Sequence, residues 1–177
     1  MTKDLSHQAY PKNVTVVGAQ FGGEVNFMTA AWSTYLSHDP LLFGVSIAPA
    51  RYTHDLIEKS GEFNCNFLPF SERKQVHAIG RISGSEANKI DELGIETSKG
   101  DSIDVPFLAK AYAMIECKLQ KTVEVGDHTF FVGEIKNAKN CADSFRENST
   151  LNIKQENPTL YLGKNTYTTT SEEEHTI

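Results

Sequence analysis

The chain has 177 residues, 17 of them Lys or Arg and 23 Asp or Glu, which gives a formal net charge of −6. That length fits a single domain with a closed core, and 39% apolar with 23% charged residues is the make-up of an ordinary globular protein. The acidic balance argues against a nucleic-acid partner, whose binding energy comes from basic groups facing phosphates, but leaves room for a local basic pocket for one small anion.

The first residues, Met1 to Pro11, are polar and lack the apolar core of a signal peptide. The most apolar stretch, Leu41 to Ala50, is far short of the ~20 residues needed to cross a bilayer. A cytoplasmic protein with no membrane partner is expected. Cys65, Cys117 and Cys141 are odd in number and widely spaced, so buried or semi-buried thiols are expected rather than disulfides or a zinc knuckle.

In chain order, Val14 to Val17 is β-branched and reads as a strand before a turn at Gly22-Gly23. Val25 to Tyr35 and Leu42 to Ala48 read as two more strands, separated by the breaker pair Asp39-Pro40. Thr53 is placed to cap a helix reaching about Lys59, with Gly61 beyond its end. Phe63 to Leu68 is a short strand stopped by Pro69. Ser71 and Ser85 are placed to cap two further helices, to about Ile79 and from Glu86 to Leu93. Ile115, Cys117 and Leu119 alternate with polar residues, the period of a half-buried strand, and a turn at Gly126-Asp127 leads into Thr129 to Ile135. The stretch from Thr166 to Ile177, with Glu172, Glu173 and Glu174 adjacent, reads as a solvated, partly disordered tail after a domain spanning residues 1–165. Strands dominate without regular strand–helix alternation, so an antiparallel barrel decorated by short helices is expected over a parallel sheet.

No nucleophile elbow, metalloprotease helix, phosphate loop or dinucleotide fingerprint occurs, and Gly80 to Gly84 has the wrong spacing for the last of these. The six histidines are scattered, so no metal site is expected. What remains is a series of small polar residues set against apolar strands. In a continuous strand Thr29 and Ala31 share one face and Met28 and Trp32 the other. Ser46 lies in the next strand between Val45 and Ile47. Arg51 and Thr53 stand at a strand-to-helix junction, where free backbone N–H groups and a guanidinium make a natural anion site.

Read together, these segments resemble the flavin reductase-like, FMN-binding split-barrel family, which includes the flavoredoxins. The resemblance rests on Asn26, Met28, Thr29, Ala31 and Trp32; on Asp39-Pro40 followed by Val45 to Ile47; on Arg51 and Thr53; and on Ser60 to Phe63 leading to Asn66. It continues through Ser83-Gly84 before Lys89, Ile115 to Cys117, Gly126 to His128, Phe131 to Glu134, and the closing Pro158 to Gly163. Asn88 and Ile90 depart from the acidic and aromatic residues more usual around Lys89.

The resemblance implies a mainly β fold, an antiparallel Greek-key split β-barrel with a few short peripheral helices, assembled as a homodimer with FMN near the interface. It implies that Met28, Thr29, Ala31, Trp32, Ser46 and Ile47 line the isoalloxazine and ribityl groups. Arg51 and Thr53 would hold the phosphate, helped by Ser83 and Lys89, with Asn66 shaping the pocket. His128 would approach from a hairpin tip, where polar residues are common anyway. His54 could face the flavin or a pyridine nucleotide, or equally be an exposed first-turn residue. The implied activity is electron transfer from NADH or NADPH through FMN, with the cofactor carrying the redox step and the protein supplying orientation and field. An electron-transfer flavoprotein with a redox-protein partner, and a flavin-binding module without turnover, stay open at this point.

Overall fold

The computed structural model describes residues 7–175. Its centre is a seven-stranded antiparallel sheet built from β2 (Thr15–Phe21), β3 (Glu24–Ala30), β4 (Ser33–His38), β5 (Leu41–Ile47), β6 (Glu62–Phe67), β9 (Ala113–Val125) and β10 (His128–Asn140), in the order β3-β2-β6-β9-β10-β5-β4. Two short strands, β7 (Thr97–Ser98) and β8 (Phe107–Leu108), pair on each other. A small second sheet joins β1 (Lys12–Asn13), β11 (Leu160–Gly163) and β12 (Thr166–Thr168).

The two edges of the large sheet, β3 and β4, are consecutive in the chain and separated only by Ala31 and Trp32. The sheet must therefore curl until its edges meet at that corner. Two bonds hold the corner: Ser46 N donates to the Trp32 carbonyl at 2.9 Å, and the Thr15 and Ser33 hydroxyls lie 2.8 Å apart. No ladder joins β3 to β4 along their length among the described residues, so the barrel is closed at one point and split beyond it. This is the expected mainly β split barrel with few, short helices.

Two apolar clusters flank β2. The barrel interior holds Val17, Phe43, Val45, Phe63, Cys117 and Phe131, and is plugged at one end by Leu56 and Ile57 of α1 (Tyr52–Ser60). A second cluster, with Val16, Phe27 and Leu68, packs under Val76 and Ile79 of α2 (Arg73–Arg81). With apolar layers on both sides, β2 needs an unbroken apolar run instead of alternation, and Thr15 to Ala19 is buried without interruption. Burying each of Leu56 and Ile57 is worth roughly 1.5–3 kcal/mol, and α1 stays on the barrel largely for that reason.

Several helix boundaries differ from the sequence expectation. The residue capping α1 is Arg51, without a side-chain cap bond, while Thr53 lies inside the first turn and uses its hydroxyl elsewhere. Gly61 closes α1 at φ 69°, in the left-handed region open to glycine. A 3-10 turn over Phe70–Glu72 precedes α2, displacing Ser71 from the cap. The third helix is only α3 (Lys89–Glu92), because the Asn88 side chain, not Ser85, accepts the first free N–H, that of Ile90.

The first residues of the expected tail form a strand, while residues 171–175 are exposed. β12 pairs with β11, Tyr167 packs against the second apolar cluster, and Glu174 forms an ion pair with Arg146. The composition is polar, but one aromatic at the right register holds the strand down. Thr176 and Ile177 lie outside the described residues. Among the cysteines, Cys65 and Cys117 are buried as expected, and burial pushes the Cys117 thiol up to about 12. Cys141 is exposed, since it stands beyond the end of β10 where the sheet gives way to a turn. No helix among the described residues is long and apolar enough to cross a membrane.

Candidate functional site

The C-terminal end of β3, the N-terminal end of α1 and the C-terminal end of α2 border one cleft at the split of the barrel. It has two compartments that share Met28, Thr29 and Arg51. Sharing is possible because β3 is an edge strand that stops at Ala30. Five successive residues, Met28 to Trp32, border the second compartment, which the two-faced strand expected for this segment does not allow.

The first compartment is polar. Asn26 Nδ2 donates to Thr53 Oγ1 at 2.7 Å, both side chains being buried, and this bond ties the first turn of α1 to β3. Lys89 is 5% exposed, and its Nζ donates to the Phe27 carbonyl at 2.6 Å and the Ile79 carbonyl at 3.0 Å. One of its three N–H donors is thus left without an acceptor among the described residues. Burial, and second the Arg51 charge, lower the Lys89 pKa to about 8. Arg51 itself is exposed, and its guanidinium makes no hydrogen bond or ion pair among the described residues. Ser83 and Gly84 complete this wall. At Gly84 an added Cβ would lie 2.3 Å from Asn26 Oδ1 and 2.8 Å from the Tyr52 ring, so only glycine lets the loop approach this closely. With uncapped N–H groups at the start of α1, this end offers three cations, Arg51, Arg81 and Lys89, against one carboxylate, Glu86, together with hydroxyls and backbone donors around a small space.

The second compartment, of about 440 Å³, is walled by Met28 to Trp32 on one side and by Ser46, Ile47 and Ala48 on the other. His128 closes one end. Its ring centroid lies 4.9 Å from that of Trp32, and its Nδ1 is 2.7 Å from Asp127 Oδ1. The Trp32 indole N–H donates to the Tyr10 hydroxyl at 3.2 Å, so the half-exposed indole is held from both sides. The result is a slot with small and apolar side walls and polar groups at its ends, among them Arg51, Asp127 and His128, a shape suited to a flat heteroaromatic ring.

The family model for the flavin reductase like domain matches residues 6–170. The chain belongs to this family. An FMN-binding protein of Thermus thermophilus has the same fold, with a TM-score of 0.88 and 35% identity over 97% of this chain and 93% of that one. A flavoredoxin of Desulfovibrio vulgaris (Miyazaki F) is 27% identical, with a TM-score of 0.87 over 99% and 97% of the two chains. A ferric-chelate reductase (NAD(P)H) of Archaeoglobus fulgidus is 32% identical over 111 residues, 62% of this chain and 64% of that protein.

Within this flavin reductase-like fold, the residues singled out from sequence fall into four groups. Met28, Thr29 and Arg51 border both compartments, Thr53, Ser83 and Lys89 the polar one, and Ala31, Trp32, Ser46, Ile47 and His128 the apolar one. Asn66 and His54 border neither. Asn66 is fully buried in β6, where its amide donates to the Val16 carbonyl and to Asn64 Oδ1 and accepts from Leu108 N, stitching the loop before β9 to the sheet. His54 is also buried, with Nε2 at 2.8 Å from Thr129 Oγ1 and its ring edge-on to Phe131. On the other side of its ring, Nδ1 stands 3.7 Å from Asp55 and 3.6 Å from Glu58, an N/O grouping narrow enough to hold a metal ion, though none of the three residues borders the cleft.

Sequence reasoning missed Tyr10, Asn26's bond to Thr53, and Arg81, which borders the polar compartment from the end of α2. The sequence shows Arg81 only as a basic residue closing a short amphipathic helix, two positions before Ser83, where the dipole favours it; its place on the cleft does not follow from that.

Proposed function

We propose that this chain is an FMN-binding oxidoreductase that takes electrons from NADH or NADPH and passes them to an acceptor. The observation that carries this reading is the unpaired Arg51 beside the buried, partly unsatisfied Lys89, at one end of a cleft whose other end is an apolar slot. A phosphate dianion matches the first end, since charge-assisted bonds to two cations and to hydroxyls satisfy donors that the protein leaves open. A flavin ring matches the second.

In this reading Arg51, Thr53, Ser83 and Lys89 hold the phosphate. Met28, Ala31, Trp32, Ser46 and Ile47 orient the ring and shield it from water, while His128 stands at its open side. The flavin, when bound, supplies the redox chemistry, which is why no catalytic triad is needed. The pyridine nucleotide as donor is supported by the likeness to the ferric-chelate reductase, and an electron-carrier role by the likeness to flavoredoxin along nearly the whole chain. Exposed Tyr35, Leu36 and Leu41 on the β4–β5 edge give an apolar strip that supports pairing with a second copy of the chain.

The test is a visible spectrum of the purified protein, then anaerobic addition of NADH and of NADPH. A flavin spectrum that bleaches within seconds supports the reductase. One that persists with both donors selects the electron carrier, and absence of flavin after incubation with excess FMN overturns the reading.

A further inference from the structure

The cleft continues past the cofactor compartments in a direction that FMN does not account for. A smaller cavity of about 190 Å³ shares Thr29, Ala30 and Ala31 with the apolar slot, and Gly80 and Arg81 with the polar one. It opens in turn, through His77, Asn165 and Tyr167, into a shallow groove along α2. Its outer wall is the β11–β12 hairpin, which brings Tyr161, Asn165 and Tyr167 against the helix.

The chemistry of this extension is one-sided. Lys74, His77 and Arg81 recur every three or four residues and so share one face of α2, while Val76 and Ile79 are buried on the other. None of the residues bordering these two cavities is acidic, although the chain as a whole carries a net charge of −6. Neither the Lys74 ammonium nor the Arg81 guanidinium makes an ion pair or hydrogen bond among the described residues. Aromatic surface adjoins the cations: the Tyr161 and Tyr167 rings lie 5.1 Å apart, and His77 Nδ1 is 3.2 Å from the Tyr167 hydroxyl. From Lys74 to Arg81 the helix runs about 10 Å at ~1.5 Å per residue, enough for a pyrophosphate and one ribose. A run of open cations beside two adjacent tilted aromatic rings, leading into a slot for a redox ring, has the form of a site for a nucleotide attached to that slot's visitor.

We propose that the groove along α2, from Lys74 past His77 to Arg81, is the subsite for the phosphate-bearing adenylate arm of the pyridine nucleotide, with Tyr161 and Tyr167 beside its base. This rests on the proposed function and adds to it where the donor's far half is held. It also explains how a fold without a dinucleotide fingerprint takes a dinucleotide: side-chain cations on one helix replace the glycine-rich turn.

The test uses the FMN-loaded protein and two kinds of measurement. Calorimetric titration with 2′-phospho-ADP-ribose and with ADP-ribose reads the subsite without turnover. Binding should weaken about tenfold or more in Lys74→Glu and in Arg81→Ala, as expected for loss of a charge-assisted phosphate contact, and should fall with added salt. The two probes separate a 2′-phosphate from the pyrophosphate: if Lys74→Glu weakens only the 2′-phosphorylated probe, Lys74 reads that group. Stopped-flow bleaching is then followed with NADPH, NADH and dihydronicotinamide riboside, which lacks phosphate. Lys74→Glu, which lies outside both cofactor compartments, should raise the half-saturating concentration of the dinucleotides and leave the riboside's rate unchanged. Unaltered dinucleotide binding in both variants, or equal losses for the riboside, overturns the subsite while the flavin reading stands. Failure of all three donors to bleach bound flavin in the unaltered protein overturns the NAD(P)H reading, and the subsite with it.

Discussion

The two ends of the cleft are built on different physical terms. At the polar end the side chains are fixed before any ligand arrives: Asn26 is bonded to Thr53, Lys89 to two backbone carbonyls, and Gly84 is pressed against Asn26. At the apolar end Trp32 is 44% exposed, and the bonds that hold it go to Tyr10 and to the corner of the barrel. A pre-organised set of cations costs stability until an anion neutralises it, whereas an open apolar slot costs little when empty. The polar end should therefore set affinity and the apolar end access. FMN and riboflavin, which differ by the phosphate alone, form the ruler that separates them.

The largest effect is expected at Arg51. Arg51→Ala should weaken FMN by about tenfold to a hundredfold, the range for a lost hydrogen bond to a charged group, and leave riboflavin nearly unchanged. Fluorescence titration with both flavins measures this directly. Equal losses would put the phosphate elsewhere and end the comparison. Somewhat smaller is Gly84→Ala, whose new Cβ must displace Asn26 from Thr53. Overpacking of this kind costs about 1–3 kcal/mol, divided between stability and FMN binding. A lower Tm of the flavin-free protein with unchanged FMN preference over riboflavin would show that the Asn26–Thr53 bond serves the fold alone.

A pH titration sharpens the same contrast at about tenfold. Lys89 is protonated at pH 7 and loses its proton as the pH rises through about 8. FMN affinity should fall across that range, with proton uptake on binding near pH 8–9, while riboflavin affinity stays flat; Lys89→Met should abolish the difference. The sign for folding is opposite. The unfolded chain keeps this proton up to about pH 10.4, so the cost of the charged, buried amine is fully present below 8. That cost is relieved as the pH climbs toward the unfolded value, and over this window Lys89 adds to the stability of the flavin-free protein. Calorimetric Tm values of protein and Lys89→Met across the range check it.

Much of this site was legible because its residues sit in short segments with strong local meaning. Arg51 and Thr53 flank a helix start, and Met28 to Trp32 mix small and polar residues where a core strand would not. The barrel followed from counting strands against short helices. What was not legible depends on contacts between distant segments. Asn66 looks like a pocket residue in sequence, but β2 and the residue 105–108 segment consume its amide. His54 follows Thr53 directly in sequence, yet the turn of α1 swings it onto Thr129 of β10. Arg81 reaches the cleft only because α2 packs over β3, a relation that no local spacing carries. The same holds for Met28 to Trp32, whose alternation fails because the barrel closes there.

That closing corner yields the smallest expected effect and the sharpest check on the two-ended view. Trp32→Ala removes an indole that is nearly half in water, so stability should change little, and the lost ring contact is worth about 0.5–1.5 kcal/mol, a two- to tenfold loss of flavin. Because the isoalloxazine is common to both ligands, FMN and riboflavin should lose equally, and the His128 side of the slot should become more open to quenchers of flavin fluorescence. An unequal loss would mean that Trp32 acts on Arg51 through the shared wall of Met28 and Thr29. The cleft would then be one coupled site, with the phosphate end no longer independent of the corner that closes the barrel.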